Sequence, residues 1–259
     1  MPSKQTNKLF LEYMAIVRRL RKECPWDREQ THRSIRHSLI EEAYEVVESI
    51  DEDNLPELRA ELGDLLLHVA LHAVMAEEER AFTVDDVLTH SMEKLIRRHP
   101  HVFGNKQVST AKEVKTNWEK IKMSEGRESL MDGVPRELPA LLRACRLQEK
   151  ASKVGFDWKK KRDVWKKVDE EVTELKKAER SKNADEIENE LGDLLFAIVN
   201  YSRFLQVNPE LALRKSTKKF ATRFRGIERA FRARGKRIEH SSLEEMDRLW
   251  NLHKEAERR

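Results

Sequence analysis

The hexapeptide ELGDLL occurs twice in this chain of 259 residues, at positions 61–66 and 190–195. The sequence around it repeats at the same offset, with EExxE beginning at Glu41 and at Glu170. The interval from the first Glu of EExxE to the Glu that opens ExxD is also the same in both copies, from Glu41 to Glu61 and from Glu170 to Glu190. Chance does not preserve this order and spacing, so we interpret the chain as an internal duplication.

The duplication predicts two similar domains, residues 1–125 and 126–259. The boundary is placed within residues 124–135, SEGRESLMDGVP, where Gly, Ser and Pro interrupt the helical patterns. Charged residues make up 38% of the chain and hydrophobic ones 39%, with only 8 Gly and 7 Pro. This composition favours a helix-rich protein over a sandwich or barrel.

Hydrophobic periodicity predicts an all-α fold, two tandem repeats of about five helices each, and no strand. The helices are predicted near residues 5–22, 33–50, 55–79, 83–98, 109–124, 136–153, 162–181, 183–206, 208–234 and 241–258. Capping boxes are predicted at Thr83 with Asp86, Thr110 with Glu113 and Ser241 with Glu244. Each ELGDLL helix is apolar nearly all round after the motif, which is typical of a central buried helix.

The repeated acids are predicted to converge. In each copy a short turn joins the EExxE helix to the ExxD helix, so the two helices should pack antiparallel. Both groups of acids lie roughly 12 Å from the turn, at about 1.5 Å rise per residue. The acids expected to meet are Glu42, Glu45, Glu61 and Asp64 in the first copy, and Glu171, Glu174, Glu190 and Asp193 in the second.

Four carboxylates in a partly buried place repel one another and lose hydration, so they need cations. Oxygen ligands without Cys suit a hard cation, and Mg²⁺ fits because it also takes phosphate oxygens as ligands. A downstream cation pair in each copy, Lys94 with Arg98 and Lys219 with Arg223, would contact phosphate groups.

Each motif also places a glycine inside a helix, Gly63 and Gly192. A glycine there costs about 1 kcal/mol relative to alanine. Its presence indicates close approach of either a neighbouring helix or a substrate, and the sequence favours neither.

Other interpretations compete with a metal site. The acids could form a solvated helix face, although the matched spacing of the two copies argues against it. His68 and His72 are four residues apart and could bind a transition metal, but Ala197 and Tyr201 replace them in the second copy. The chain could also be a non-catalytic helical regulator whose acids dock a basic partner. A nucleic-acid-binding bundle would use Arg97, Arg98 and residues 159–162.

The net charge of +4 comes from 51 basic and 47 acidic residues that are interspersed, so we expect no nucleic-acid partner. The two cysteines, Cys24 and Cys145, form no CxxC pair and are expected to be reduced thiols. No apolar stretch approaches the roughly 20 residues that span a bilayer, and no signal-type segment begins the chain. These features predict a cytoplasmic protein without a membrane partner.

EExxE followed by ExxD and a Lys/Arg pair resembles the all-α nucleoside triphosphate pyrophosphohydrolases. Longer motifs narrow the resemblance to the MazG proteins, across nearly the whole chain. These motifs are CPWDREQT (24–31), IEEAYEV (40–46), RRHPHVF (97–103), GVPRELPAL (133–141) and KVGFDW (153–158).

The resemblance implies a homodimeric enzyme that uses Mg²⁺ to hydrolyse nucleotides such as ATP to the monophosphate and pyrophosphate. It implies that Glu171, Glu174, Glu190 and Asp193 bind Mg²⁺, and that the C-terminal copy is the active one. Substrate contacts are expected from Lys167, Glu170, Asn189, Lys219, Arg223 and, beside the nucleobase, Trp250. Glu170 or Glu171 is expected to accept the proton of the attacking water.

Overall fold

A computed structural model of the protein describes residues 4–125 and 129–256. Within those residues the regular structure is helical throughout, and the all-α prediction is confirmed. The helices are α1 (Lys4–Glu23), α2 (Pro25–Glu29), α3 (Arg36–Asp51), α4 (Leu55–Glu78), α5 (Val84–Arg98), α6 (Pro100–Phe103), α7 (Ala111–Ser124), α8 (Ala140–Ser152), α9 (Lys161–Ser181), α10 (Ala184–Phe204), α11 (Pro209–Ala233), a 3₁₀ turn (Ile238–His240) and α12 (Leu243–Ala256).

All ten predicted helices are present, and the short helices α2 and α6 are additional. The largest error is at α8, which begins at Ala140 and not at residue 136. Pro139 occupies its N-cap with φ −47° and ψ 136°. The proline ring disfavours the helical conformation for the residue before it, so the helix cannot extend further back.

Helix starts follow the predicted caps with one exception. Thr83 and Asp86 form a complete capping box at α5, and the Thr110 hydroxyl accepts from the Glu113 backbone N–H at 3.2 Å. The predicted cap at Ser241 is wrong by one residue, because the Ser242 hydroxyl accepts from the Glu245 backbone N–H at 3.2 Å. Residues 257 and 258, predicted to end the last helix, lie outside the described residues.

The chain divides into two compact units, residues 1–118 and 119–259. In the first unit α1 and α3 both pack on α4. An ion pair between Arg21 and Glu78, at 2.6 Å, also joins α1 to α4. The core of this unit consists of Met14, Val17, Ile35, Ala70, Leu71, Ala73, Val74, Met75 and Val84.

In the second unit α9 packs along α10, and α8 contacts both α10 and α11. The helices α11 and α12 pack on each other around Ile227, Phe231 and Leu249. Gly226 of α11 lies against the His253 ring of α12, where a Cβ atom would come within 2.5 Å of the imidazole. A side chain at position 226 would therefore push the two helices apart.

The prediction that both ELGDLL helices are buried all round is wrong for the single chain. On α4, Leu62, Leu66 and Val69 keep 43–49% of their surface exposed. On α10 the residues at the same positions, Leu191, Leu195 and Ile198, keep 46–47% exposed. Because their spacing of four and three residues places each set on one helix face, each helix presents an apolar stripe to its surroundings.

The domain boundary predicted at residues 125 and 126 stays a prediction, since residues 126–128 lie outside the described part of the chain. The division into compact units falls earlier, within α7. None of the described helices combines the length and the apolar character that crossing a lipid bilayer requires.

Candidate active site

Three carboxylates of the N-terminal copy meet between α3 and α4. One oxygen of each of Glu42, Glu45 and Glu61 lies within 4.8 Å of the other two. Burial, followed by a hydrogen bond to Glu57 and the charge of Glu45, raises the pKa of Glu61 to about 7. Burial and the charges of Glu45 and Asp64 likewise raise the pKa of Glu42.

Asp64 was predicted to join this group, but in the described part of the chain the close group contains only the three glutamates. Asp64 is exposed, and its charge acts on Glu42 and on Tyr13. Burial first, and then Asp64, raises the pKa of the Tyr13 phenol. Asp64 therefore borders the cluster and is not at its centre.

The C-terminal copy repeats the arrangement between α9 and α10. One oxygen of each of Glu171, Glu174 and Glu190 lies within 4.8 Å of the other two. Glu171 is buried, with 5% of its surface exposed, whereas Glu174 is exposed. Loss of hydration first, and then the charges of Glu171 and Glu190, raise the pKa of Glu174.

Lys167 distinguishes this second cluster from the first. Its Nζ atom lies 2.7 Å from a carboxylate oxygen of Glu170 and 2.7 Å from one of Glu171. Hydrogen bonds to these two carboxylates raise the pKa of Lys167 well above its usual range. Ser38 stands at the equivalent position of the N-terminal copy, so only the C-terminal cluster has a cation at this place.

The remaining predicted substrate contacts of this copy lie on three helices. Asn189 is exposed on α10, one residue before Glu190. Lys219 and Arg223 lie one turn apart on α11. The Arg223 guanidinium stands 5.2 Å above the Trp250 ring of α12.

In the first unit the corresponding cations, Lys94 and Arg98, lie one turn apart near the end of α5. Both are half-buried. Because α5 packs on α4, these cations are on a helix that contacts the ExxD helix of their own copy.

A cavity of about 630 Å³ lies next to the C-terminal carboxylates. Lys167, Glu171 and Asp193 line it together with apolar and aromatic side chains. Its other polar residues were missed by sequence reasoning, and they are Gln148, Asp157, Asn200 and Arg203. Of these four residues, only Asp157 lies in a motif that sequence reasoning had singled out, KVGFDW (153–158).

The polar residues of the cavity bind one another. Arg203 donates to the Asp157 carboxylate at 2.7 Å and to the Asn200 side-chain oxygen. Gln148 donates from Nε2 to the Phe196 carbonyl at 2.8 Å. These contacts connect α8 and the loop before α9 to α10, and they fix the shape of the cavity.

Three of the histidines of the N-terminal unit, His32, His68 and His72, lie near one another. The Nδ1 atoms of His32 and His72 are 2.7 Å apart, and the charge of His68 acts on Glu42. Burial, followed by the charges of His32 and His68, lowers the pKa of His72. Within the described residues the close ligand groups contain no histidine, so the structure gives the transition-metal interpretation no further support.

The fold and the paired acid clusters define an all-α protein with a duplicated carboxylate site. The family described as the MazG nucleotide pyrophosphohydrolase domain matches residues 30–103 and 160–226, one match per copy. The chain belongs to the MazG family of nucleotide pyrophosphohydrolases. The predicted resemblance, the tandem helical repeats and the assignment as an enzyme are thereby confirmed.

Named relatives match along nearly the whole chain. The nucleoside triphosphate pyrophosphohydrolase/pyrophosphatase MazG of Thermotoga maritima is 47% identical over 252 residues, which cover 95% of this chain and 96% of that protein. The nucleoside triphosphate pyrophosphohydrolase of Escherichia coli is 42% identical over 253 residues, covering 94% and 96%. A crystal structure of a mazG-related protein from Thermotoga maritima aligns with a TM-score of 0.39 at 26% identity, over 43% of this chain and 98% of that one.

Proposed function

We propose that this protein hydrolyses nucleoside triphosphates to the nucleoside monophosphate and pyrophosphate, with Mg²⁺, at its C-terminal carboxylate cluster. The observation that carries the proposal is the cavity that Lys167, Glu171 and Asp193 line beside that cluster. The names of the Thermotoga maritima and Escherichia coli relatives support the same reaction class.

The C-terminal residues fit Mg²⁺ in number and in chemistry. Ligands on an octahedron with bonds of about 2.1 Å lie roughly 3 to 4 Å apart. Oxygens of Glu171, Glu174 and Glu190, which lie within 4.8 Å of one another, can reach that spacing with small side-chain rotations. These three would hold the ion, with Asp193 beside them. The chemistry that Mg²⁺ supplies when bound is neutralisation of phosphate charge and activation of water.

The reaction needs a water oxygen to attack the α-phosphorus while the bond to the β-phosphate oxygen breaks and pyrophosphate leaves. Glu170 and Glu171 are the candidate proton acceptors, because both carboxylates are held by Lys167 at the cavity. Of the two, Glu170 is the more exposed and lies outside the close group of three carboxylates. We therefore propose Glu170 as the first candidate to accept the proton of the attacking water, and Glu171 as the second.

The phosphate charge needs partners beyond the metal site. Lys167 contacts the cavity directly, and it can exchange a carboxylate for a phosphate oxygen without losing its charge. Lys219 and Arg223 would neutralise charge on the departing pyrophosphate. Trp250 holds the Arg223 guanidinium in place through its ring face.

Pyrophosphate release from a panel of the common ribo- and deoxyribonucleotides with Mg²⁺ tests this proposal. We expect Glu174→Ala to lower kcat by about two orders of magnitude or more, since the cluster loses one of three ligands. Glu45→Ala is the matched control, because it removes the equivalent ligand from the N-terminal copy. Helicity, followed by circular dichroism, should stay the same in both variants.

Full activity of Glu174→Ala would contradict the assignment to the C-terminal copy. Loss of activity in Glu45→Ala alone would assign catalysis to the N-terminal copy. If the intact protein releases no pyrophosphate from any nucleotide, the proposed reaction is wrong. That result would favour a regulatory role of the acidic clusters.

A further inference from the structure

Helix α11 and the turn after it concentrate positive charge. Residues 214–237 contain 11 basic residues and one acidic residue, Glu228. The rest of the chain has 40 basic and 46 acidic residues, so it is net acidic although the whole chain carries +4. The expectation of no nucleic-acid partner rested on charges that are interspersed along the chain, and on α11 they are not.

Five of these cations share one face of α11. A rotation of about 100° per residue places them within an arc of about 60°, and a rise of about 1.5 Å per residue spreads them over about 27 Å. We call this set the basic stripe, and it consists of Arg214, Lys218, Arg225, Arg229 and Arg232. The opposite face of α11 carries Ile227 and Phe231, which are buried with Leu249 of α12. The stripe therefore points away from the core of its unit.

Most of the basic stripe is open to a partner. Its members are exposed except for Arg214, which is half-buried. Arg225, Arg229 and Arg232 form no ion pair with another described residue, whereas Arg234 beyond the stripe lies 3.5 Å from Glu245. Like charges four residues apart, such as Arg225 and Arg229, destabilise a helix. The fold by itself therefore gives no reason for the stripe.

The N-terminal copy has no such stripe. When the copies are aligned on their cation pairs, Lys94 with Lys219 and Arg98 with Arg223, none of the five equivalent residues is basic. These residues are Thr89, Glu93, Pro100, Gly104 and Gln107. The repeat can therefore keep its cation pair without a basic stripe, and the stripe is a separate property of the C-terminal unit.

The chemistry of the stripe fits the phosphate backbone of a nucleic acid. Four of its five side chains are arginines, whose planar guanidinium groups bind two phosphate oxygens at once. Duplex DNA carries one negative charge per about 1.7 Å of its axis. An acidic polypeptide strand offers at most one carboxylate per about 7 Å on one face. A long row of cations thus meets more partners on DNA than on an acidic strand.

The same face lacks the side chains that hold single strands. Proteins bind single strands by stacking bases on aromatic rings, but Ala221 and Thr222 occupy the face between Lys218 and Arg225. The major groove of B-form DNA, about 12 Å wide, admits an α-helix. The major groove of duplex RNA is too deep and narrow for side chains to read. These features favour duplex DNA.

We propose that the basic stripe of α11 binds the phosphate backbone of duplex DNA without preference for sequence. Contacts to the backbone position a protein on the duplex but read no bases. The proposal does not depend on the proposed hydrolysis, because Lys219 and Arg223 lie outside the 60° arc of the stripe, at about 100° per residue.

Fluorescence anisotropy of a labelled duplex of about 20 base pairs, titrated with the full-length protein, tests the proposal. The duplex has 5′-hydroxyl ends and the buffer contains a chelator, so that no terminal phosphate or Mg²⁺ directs the DNA to the carboxylate clusters. The logarithm of the binding constant should fall linearly with the logarithm of the KCl concentration between about 50 and 200 mM. Its slope should be about −3 to −4.5, since the stripe neutralises three to five phosphates.

A triple variant removes the three stripe cations that have no partner in the chain, as Arg225→Gln, Arg229→Gln and Arg232→Gln. It should bind at least tenfold more weakly at about 100 mM KCl, and its salt slope should be less steep by about 2 to 3.

The matched control removes the same charge from exposed cations of α9, as Lys176→Gln, Lys177→Gln and Arg180→Gln. Its affinity for the duplex should stay within about twofold of that of the unaltered protein. Circular dichroism checks that both triple variants keep their helices.

A measurement on the DNA side covers the case in which the stripe variant does not fold. A duplex whose central phosphates are replaced by neutral methylphosphonates should bind the unaltered protein at least tenfold more weakly, because it releases fewer counterions.

Equal binding by the stripe variant and the unaltered protein would overturn the proposal. An equal loss in both triple variants would also overturn it, because the stripe would then contribute only net charge. Tighter binding of the single strand, or displacement of the duplex by poly-L-glutamate at the same concentration of charges, would replace duplex DNA by another class of partner. No binding of the duplex at the lowest salt concentration would exclude DNA altogether.

Discussion

At the residue scale, the two carboxylate clusters reduce their repulsion by different means. Glu171, the buried acid of the C-terminal cluster, has the Lys167 cation 2.7 Å away. Glu61, the buried acid of the N-terminal cluster, has hydrogen bonds with Glu57 and Glu45 instead, and its pKa rises to about 7. One motif therefore produces a cation-balanced cluster in one copy and a proton-binding cluster in the other.

The raised pKa of Glu61 predicts a pH dependence of stability. The pKa of the Glu61 carboxyl group is higher in the folded state, about 7 against the usual 4.5. Such a group contributes fully to stability at pH values below its pKa in the unfolded state. That contribution is lost as the pH rises through about 7. Without divalent metal, Glu61→Gln should therefore be more stable than the unaltered protein at pH 8, and the difference should shrink towards pH 5.

Urea unfolding of both proteins in the presence of a chelator, at several pH values between 5 and 8, measures this difference in stability. The exposed Glu244→Gln variant serves as control and should follow the unaltered protein. A stability difference between Glu61→Gln and the unaltered protein that does not change with pH would contradict the prediction. Added Mg²⁺ should stabilise the unaltered protein more at pH 8 than at pH 6, since Mg²⁺ competes with the proton for the carboxylates.

At the element scale, the glycine inside each ELGDLL helix now has a clearer role. A Cβ atom added at Gly63 or at Gly192 meets no atom within 4 Å. The explanation by close packing of a helix of the same unit is therefore wrong. The open space beside Gly192 lies between two site residues, Glu190 and Asp193, which favours the substrate as the reason for this glycine.

Alanine at these positions separates stability from function. We expect Gly63→Ala and Gly192→Ala each to raise the free energy of unfolding by about 1 kcal/mol, because alanine favours the helix. Only Gly192→Ala should also lower kcat/KM, since its methyl group occupies space beside the C-terminal carboxylates. Equal hydrolysis by both variants would show that the substrate does not need that space.

At the scale of the whole molecule, the apolar stripes on α4 and α10 suggest an assembly. Three large side chains on one face of each helix keep more than 40% of their surface exposed. Contiguous apolar surface of this kind is rare on monomers and marks interaction sites. The homodimer predicted from the family resemblance would cover it.

We expect the protein to elute in size-exclusion chromatography with light scattering at a mass near twice 30.6 kDa. Leu195→Glu places a charge in the middle of the α10 stripe and should shift the mass to that of one chain. Leu213→Glu, a substitution of an exposed leucine on α11, should leave the mass unchanged. A monomeric mass for the unaltered protein at micromolar concentration would contradict the assembly.

The sequence by itself determined the helices and the meeting of three acids in each copy. Helical periodicity, caps such as Thr83 and the spacing of EExxE from ExxD are local properties, and a short turn converts them into an antiparallel pair. Only the tertiary structure decided which side chains surround the acids. Lys167 contacts Glu171 because the two residues are four apart on one helix. By contrast, Gln148 and Phe196 are 48 residues apart in the sequence, and Arg203 and Asp157 are 46 apart. Such contacts depend on how α8 and the loop before α9 pack on α10, and no local pattern encodes that packing.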